Sequence, residues 1–218
     1  MTRRGSSQPE GDKNLTMPLQ NRVDHYGEIQ AVSSRSTLTG NRGILHGEDG
    51  VLHRKYQHQN WVTCALQFND RKRALMAPGR YTHLFFLDEA TAFAAGHRPC
   101  AECRRRRYKS FVAAWCKVHG HSENGKSLPQ TIDRILHANR VVRGGTKVTY
   151  QAPLAGLPDG TFFADRGKPV LVWKGARFRW SFEGYRQISH QTSVPVTVLT
   201  PRPVVEVFAA GWTPDANV

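Results

Sequence analysis

The spacing of apolar positions changes character along this 218-residue chain. Residues 17–49 hold only short apolar pieces punctuated by Pro18, Gly27, Gly40, Gly43 and Gly47, the pattern of turn-rich structure with no readable period. Residues 61–68 (WVTCALQF) are rich in β-favouring side chains. With Asn69-Asp70 and the apolar piece 74–76 behind them, they predict a hairpin. A further strand is expected over 81–86. A short helix follows over 90–95, with Asp88 as N-cap, Glu89 in its first turn and Gly96 as its stop. Tyr108, Phe111, Val112, Trp115 and Val118 recur at three- and four-residue steps, which predicts a helix from 101 to about 119, ended by Gly120. Another is expected over 131–140.

From 147 onward the period becomes two. Strands are expected at 148–150, 161–163, 169–173, 178–180 and 194–199, with Pro158-Asp159-Gly160 and Lys174-Gly175 as turns. Residues 201–210, with Pro203 near the start and Gly211 after the end, read as a last short helix. The expected fold class is α+β. A helical, Cys-x-x-Cys-bearing N-terminal part with a β-hairpin occupies 17–143, a small antiparallel β-rich part occupies 146–218, and the two pack as one unit. Residues 1–16, polar and holding Gly5, Ser6, Ser7, Pro9 and Gly11, are expected to form a flexible tail.

Apolar residues make up 39% of the chain and aromatics 10%, which excludes a disordered polypeptide. No run approaches the roughly 18–20 apolar residues of a membrane helix, and residues 1–13 lack the apolar stretch of a secretory signal, so a cytoplasmic protein is expected. Lys and Arg number 31 against 17 acidic residues, and 31 − 17 leaves +14. A charge this large favours a polyanionic partner, nucleic acid first.

Four cysteines are too few, in a chain of this size, to suggest a disulfide framework. Cys100-Ala101-Glu102-Cys103 can aim two thiols at one point, as tetrahedral Zn²⁺ requires. A closed site needs two more ligands. Cys64 lies 36 residues earlier, and His58, His83 and His97 are within reach along the chain. A redox dithiol and two unpaired thiols in a turn are the alternatives, and the absence of a βαβ pattern speaks against the first. Cys64, in an apolar strand, reads equally as a ligand or as a buried small hydrophobe, and Cys116 beside Trp115 reads as core.

The stretch YTHLFFLDEATAFAAGHRPCAECR, residues 81–104, resembles the second half of the Ada-type metal-binding module of bacterial alkylation-response DNA repair proteins. That module has an apolar strand with paired Phe, an Ala-rich helix, then Gly-aromatic-Arg-Pro-Cys-x-x-Cys-Arg. The resemblance covers 24 residues. It implies that Cys100 and Cys103 bind zinc and that Arg104 lies at the edge facing nucleic acid. The family's first half supplies two further ligands, places that Cys64 and His58 would take here. The chain as a whole is also similar to uncharacterised bacterial proteins, a likeness that carries no function.

Arg104, Arg105, Arg106 and Arg107 open the helix after the thiols, and Arg71, Lys72 and Arg73 sit on the preceding loop. Arg71, Lys72, Arg73, Arg104, Arg105 and Arg107 are therefore the candidate phosphate contacts. Asp133 and His137, four apart on a helix, with Arg140 beyond, form a candidate acid–base and anion-binding set. No phosphate loop, dinucleotide fingerprint, His-Glu-x-x-His or nucleophile elbow is present. The expected function is that of a zinc-stabilised nucleic-acid-binding protein, DNA-directed and related to DNA repair or processing. A nucleic-acid-processing enzyme using Asp133, His137 and Arg140 is the alternative, and a basic protein with structural zinc and a protein partner is the second.

Overall fold

A computed structural model of the chain describes residues 17–70, 74–192 and 194–218. Arg71, Lys72 and Arg73 lie outside the described residues. The described residues form an α+β fold, with four helices and two six-stranded sheets.

The organising element is α1 (Glu89–Ala94), whose six residues are all buried. A helix enclosed on every side needs small side chains, which Ala90, Ala92 and Ala94 supply, and partners for its buried polar groups: Glu89 accepts from the Asp215 N–H and Thr91 Oγ1 from Trp180 Nε1. Ala92 packs with Leu84 and Phe86 on the first sheet, Ala90 and Ala94 pack on Phe162 and Trp180 of the second, and Phe93 enters a helical core with Phe111 and Phe208. The Asp88 carboxylate caps its start, accepting from the Thr91 N–H at 2.8 Å, as the sequence predicts. Its exit requires Gly96, where φ is +86° and an added Cβ would lie 2.5 Å from Arg140 Cδ.

The first sheet joins β1 (Gln20–Val23), β2 (Ile29–Ala31), β3 (Leu38–Asn41), β4 (Val62–Ala65), β5 (Leu84–Phe86) and β6 (Arg98–Pro99) in the order β2-β1-β5-β3-β4-β6. It is mixed: β1–β5 and β4–β6 are parallel and the other pairs antiparallel. This corrects the expected helical N-terminal part. Strands dominate before residue 88, and the helices α2 (Arg105–His119) and α3 (Leu128–Arg140) come only after the thiols. The expected hairpin is also absent among the described residues. Asn69 and Asp70 do turn, with φ of 51° and 50°, but β4 pairs with β3 and β6 and not with residues 74–76. Gly40 makes the sheet tight enough to seat the Phe86 ring, which an added Cβ would meet at 2.4 Å.

The second sheet is antiparallel throughout. It contains β7 (Tyr150–Ala152), β8 (Phe162–Asp165), β9 (Lys168–Trp173), β10 (Ala176–Ser181), β11 (Gly184–Ile188) and β12 (Val196–Val198), in the order β11-β10-β9-β8-β12-β7. Its hairpin at Lys174-Gly175 has both residues at positive φ, as the predicted two-residue turn requires. The last helix, α4 (Arg202–Ala209), closes the helical core with Val204, Val207 and Phe208.

His25 sits between the sheets, its ring against Tyr26, Phe162 and Trp180. Neither ring nitrogen has a hydrogen-bond partner among the described residues. Burial, with Lys147 nearby, lowers its pKa to about 3. Folded His25 thus stays neutral where the unfolded residue charges near 6.5, so the unfolded state binds the extra proton between those values. Stability is expected to fall as pH drops from about 6.5 towards 3. His25→Phe, read by urea unfolding across that range, should flatten the loss by a few kcal/mol.

Candidate metal centre

Sheet register brings the thiols together. Cys64 on β4 lies opposite Thr39 of β3, which in turn faces Phe85 of β5. On the other edge of β4, Thr63 pairs with Pro99, and the Cys100 N–H donates to the Thr63 carbonyl at 2.8 Å. Cys100 thus follows β6 directly beside Cys64. A turn then carries Cys103 back: the Arg104 N–H donates to the Cys100 carbonyl at 3.3 Å, and the Glu102 N–H points to Cys100 Sγ at 3.4 Å.

The Sγ atoms of Cys64, Cys100 and Cys103 all lie within 4.8 Å of one another, close enough to hold a metal ion. All three are partly exposed, whereas Cys116 is buried in the helical core, as the sequence suggests. Hydrogen bonds from the Cys103 and Cys64 thiols and from backbone N–H groups hold the Cys100 thiol well below its usual pKa. Cys64 and Cys103 are pushed up by the same sharing. The cluster thus stabilises one thiolate through its neighbours, and a metal ion held here would displace the remaining protons.

His58, expected as a ligand from its nearness in sequence to Cys64, is not in this group. The chain turns between them, the Trp61 Nε1–H donating to the His58 carbonyl at 2.8 Å, and the His58 ring lies within the fields of Asp133 and Arg140. His97 is also elsewhere, buried and accepting from Arg42 Nε at 3.2 Å. His83 shares a cavity with the thiols. That cavity, about 310 Å³, is lined by the outer faces of β3, β4 and β5 and by the loop that follows β4, including Phe68, Leu75, Tyr81, His83 and Phe85.

The basic residues divide. Arg104 is bound inward: its guanidinium reaches Glu89 at 2.7 Å and donates to Thr63 Oγ1 at 3.0 Å, with 9% of the side chain exposed. Arg107 also grips Glu89, donates to the Thr213 carbonyl at 2.9 Å and lies over the Trp212 ring. Both were candidate phosphate contacts, and both are committed to a buried carboxylate. Arg105, Arg106 and Lys109 are exposed on the outer side of α2.

The candidate acid–base set does not assemble. Asp133 holds Arg98 in a buried two-pronged pair, at 2.8 Å and 2.7 Å, and no hydrogen bond joins it to His137 among the described residues. His137 Nδ1 accepts from Arg140 at 3.2 Å. Burial and Arg140 lower its pKa. Arg140 itself is enclosed, donating to the Gly96 and Gln59 carbonyls at 2.7 Å each.

Sequence reasoning missed a buried cationic cluster at the carboxyl end of α1. Lys147 donates to the Ala94 carbonyl at 2.6 Å, and Arg42 and Arg140 lie over the Trp61 ring at 4.1 Å and 4.0 Å. Burial lowers Lys147 to about 7 and both arginines to about 9. The carbonyls at a helix end attract cations, which gives these groups a structural role that scattered single residues do not announce in sequence.

Compared with family models, with curated proteins and with solved structures, the chain matches none. Among the described residues, no helix is long and apolar enough to cross a membrane.

Proposed function

We propose that the chain is a zinc–thiolate protein that binds nucleic acid, DNA before RNA, with the exposed side of α2 beside the thiol centre. The observation that carries this reading is one juxtaposition. Three thiols that can hold a metal lie at the start of a helix whose outward residues Arg105, Arg106 and Lys109 are cationic, in a chain of net charge +14. Cations at a helix N-terminus oppose the dipole by about 0.3–1 kcal/mol each, so solubility alone is a poor reason to place them there. Zinc suits three thiolates better than the harder Mg²⁺ or Ca²⁺. The resemblance of residues 81–104 to the Ada-type module supports both parts, with a role in DNA repair or processing as its extension.

Two measurements test it. Elemental mass spectrometry should find about one zinc per chain, lost in Cys100→Ser/Cys103→Ser. Binding to duplex DNA should weaken linearly with the logarithm of salt concentration. In Arg105→Glu/Arg106→Glu/Lys109→Glu the slope should fall by about 2–3, since each neutralised phosphate contributes about 0.9. Unchanged salt dependence in that variant overturns the nucleic-acid part of the reading.

A further inference from the structure

The three thiols leave a tetrahedral ion one position short, and the composition of the chain limits what can fill it. All ten histidines and all four cysteines of the chain lie among the described residues. Among the described residues, Cys64, Cys100 and Cys103 are the only group of three or more His, Cys, Asp or Glu side chains whose ligand atoms lie within 4.8 Å of one another. No further cysteine or histidine, and no described carboxylate, Glu102 on the cavity wall included, therefore joins that group as the chain is folded. His83 comes nearest in role, because it lines the same cavity, but it precedes β5, two strands away from Cys64 across β3. Closed structural zinc sites carry four protein ligands, whereas sites with three protein ligands keep the fourth position for water or a substrate.

The thiols themselves form part of the wall of the 310 Å³ cavity, at the lower end of the range for small-molecule sites. Its other walls combine the aliphatic Leu66 and Leu75 with the aromatic Phe68, Tyr81 and Phe85, and carry Thr39, Asn41, His83 and Glu102 as polar points. Tyr81 and His83 have their ring centroids 4.5 Å apart, so one wall is a continuous aromatic surface. Charge narrows the class of ligand further. A divalent ion with three thiolates carries 2 − 3 = −1, so an incoming anion meets repulsion while a neutral donor does not. Ring nitrogens are good ligands for such ions, and a planar ring also uses the aromatic walls.

Resting on the zinc reading above, we infer that the metal position is open towards this cavity and receives a neutral, planar nitrogen heterocycle, of the size of a single nucleobase, through a ring nitrogen. The site then binds a ligand and is more than a staple for the fold.

Cobalt(II) replaces zinc with a spectrum that reports both sulfur ligation and the fourth ligand, and imidazole at pH about 8 serves as a neutral probe. Thiolate-to-cobalt charge-transfer bands should appear at one ion per chain. Imidazole should then shift the d–d bands saturably, with an affinity at least tenfold above that of azide. Absence of the charge-transfer bands overturns the zinc reading and this inference with it. Charge-transfer bands with d–d bands that imidazole does not move overturn the inference alone. In that event a response regained in His83→Ala would show that His83 swings in to close the site. An affinity for azide equal to that for imidazole overturns the assignment of a neutral ring.

Discussion

Asp133→Ala is expected to lower stability by about 3–5 kcal/mol in urea unfolding, among the largest effects of any single substitution in this chain. Its carboxylate takes both prongs of the Arg98 guanidinium, and the two side chains are only 5% and 9% exposed. Arg98 has further bonds, to Asn60 Oδ1 at 3.2 Å and to the Pro99 carbonyl at 3.3 Å, but these bring it no opposite charge. Removing Asp133 therefore strands a buried cation. The double variant Arg98→Met/Asp133→Leu, which removes both charges and keeps volume, should recover most of the loss. If the single variant unfolds like wild type, the pair is not desolvated as described. The pair lies in the segment that delivers Cys100 to the thiol cluster, since Arg98 is the first residue of β6.

Glu89→Ala is the second. Glu89, 1% exposed, faces Arg104 and Arg107 and also accepts the Asp215 N–H at 2.9 Å. Its loss leaves two guanidiniums without their main counter-charge. A destabilisation of about 3–5 kcal/mol is expected, less for Glu89→Gln, which keeps an acceptor for Asp215. A second effect should follow at the metal centre. Arg104 is the residue after Cys103 and bonds Thr63, the residue before Cys64, so Glu89 orients the two chain segments that bear the thiols. Groups that position ligands in this way alter metal affinity by about 10–100-fold. Competition against a chromophoric chelator should show a loss of that size in Glu89→Ala, and an unchanged affinity would reduce Glu89 to a purely structural role.

The sequence disclosed those parts of the fold whose causes are local. Asp88 caps α1 through Thr91, three residues on, and α2 and α3 follow from the apolar spacing of their own residues. Of the first sheet, β4 and β5 were legible, but β1, β2, β3 and β6 were not, because they are two to four residues long, and two of them, QNRV and LTGN, hold one apolar residue each apart from glycine. They are strands because β5 pairs with both, a non-local cause. The edge strand β11 was missed although its partner β10 directly precedes it, because GYRQI shows no alternation of apolar and polar positions.

At the site, spacing identified Cys100 and Cys103, and of the two readings that the sequence left open for Cys64, register favours the one beside these thiols. Nearness in sequence favoured His58, which lies outside the thiol group, over His83, which lies 19 residues beyond Cys64 and lines the thiol cavity without joining the group. Arg104 and Arg107 were read as phosphate ligands because nothing in a linear sequence shows that Glu89 folds back against them.

The enclosure of α1 has a consequence for how the chain matures on the ribosome. The Asp215 and Asn217 N–H groups that bond the carboxylates of Glu89 and Asp88 lie 126 and 129 residues downstream of them. At roughly 5–20 residues per second, synthesis takes about 6–25 s to supply those partners. Until then the first turn of α1 has only Arg104 and Arg107 to balance its acids, and the thiol centre can gather its three sulfurs while the second sheet is still unmade. A metal ion, if bound by the three thiols at that stage, would hold β4 and β6 together as a template, onto which the later strands and residues 215–217 then close.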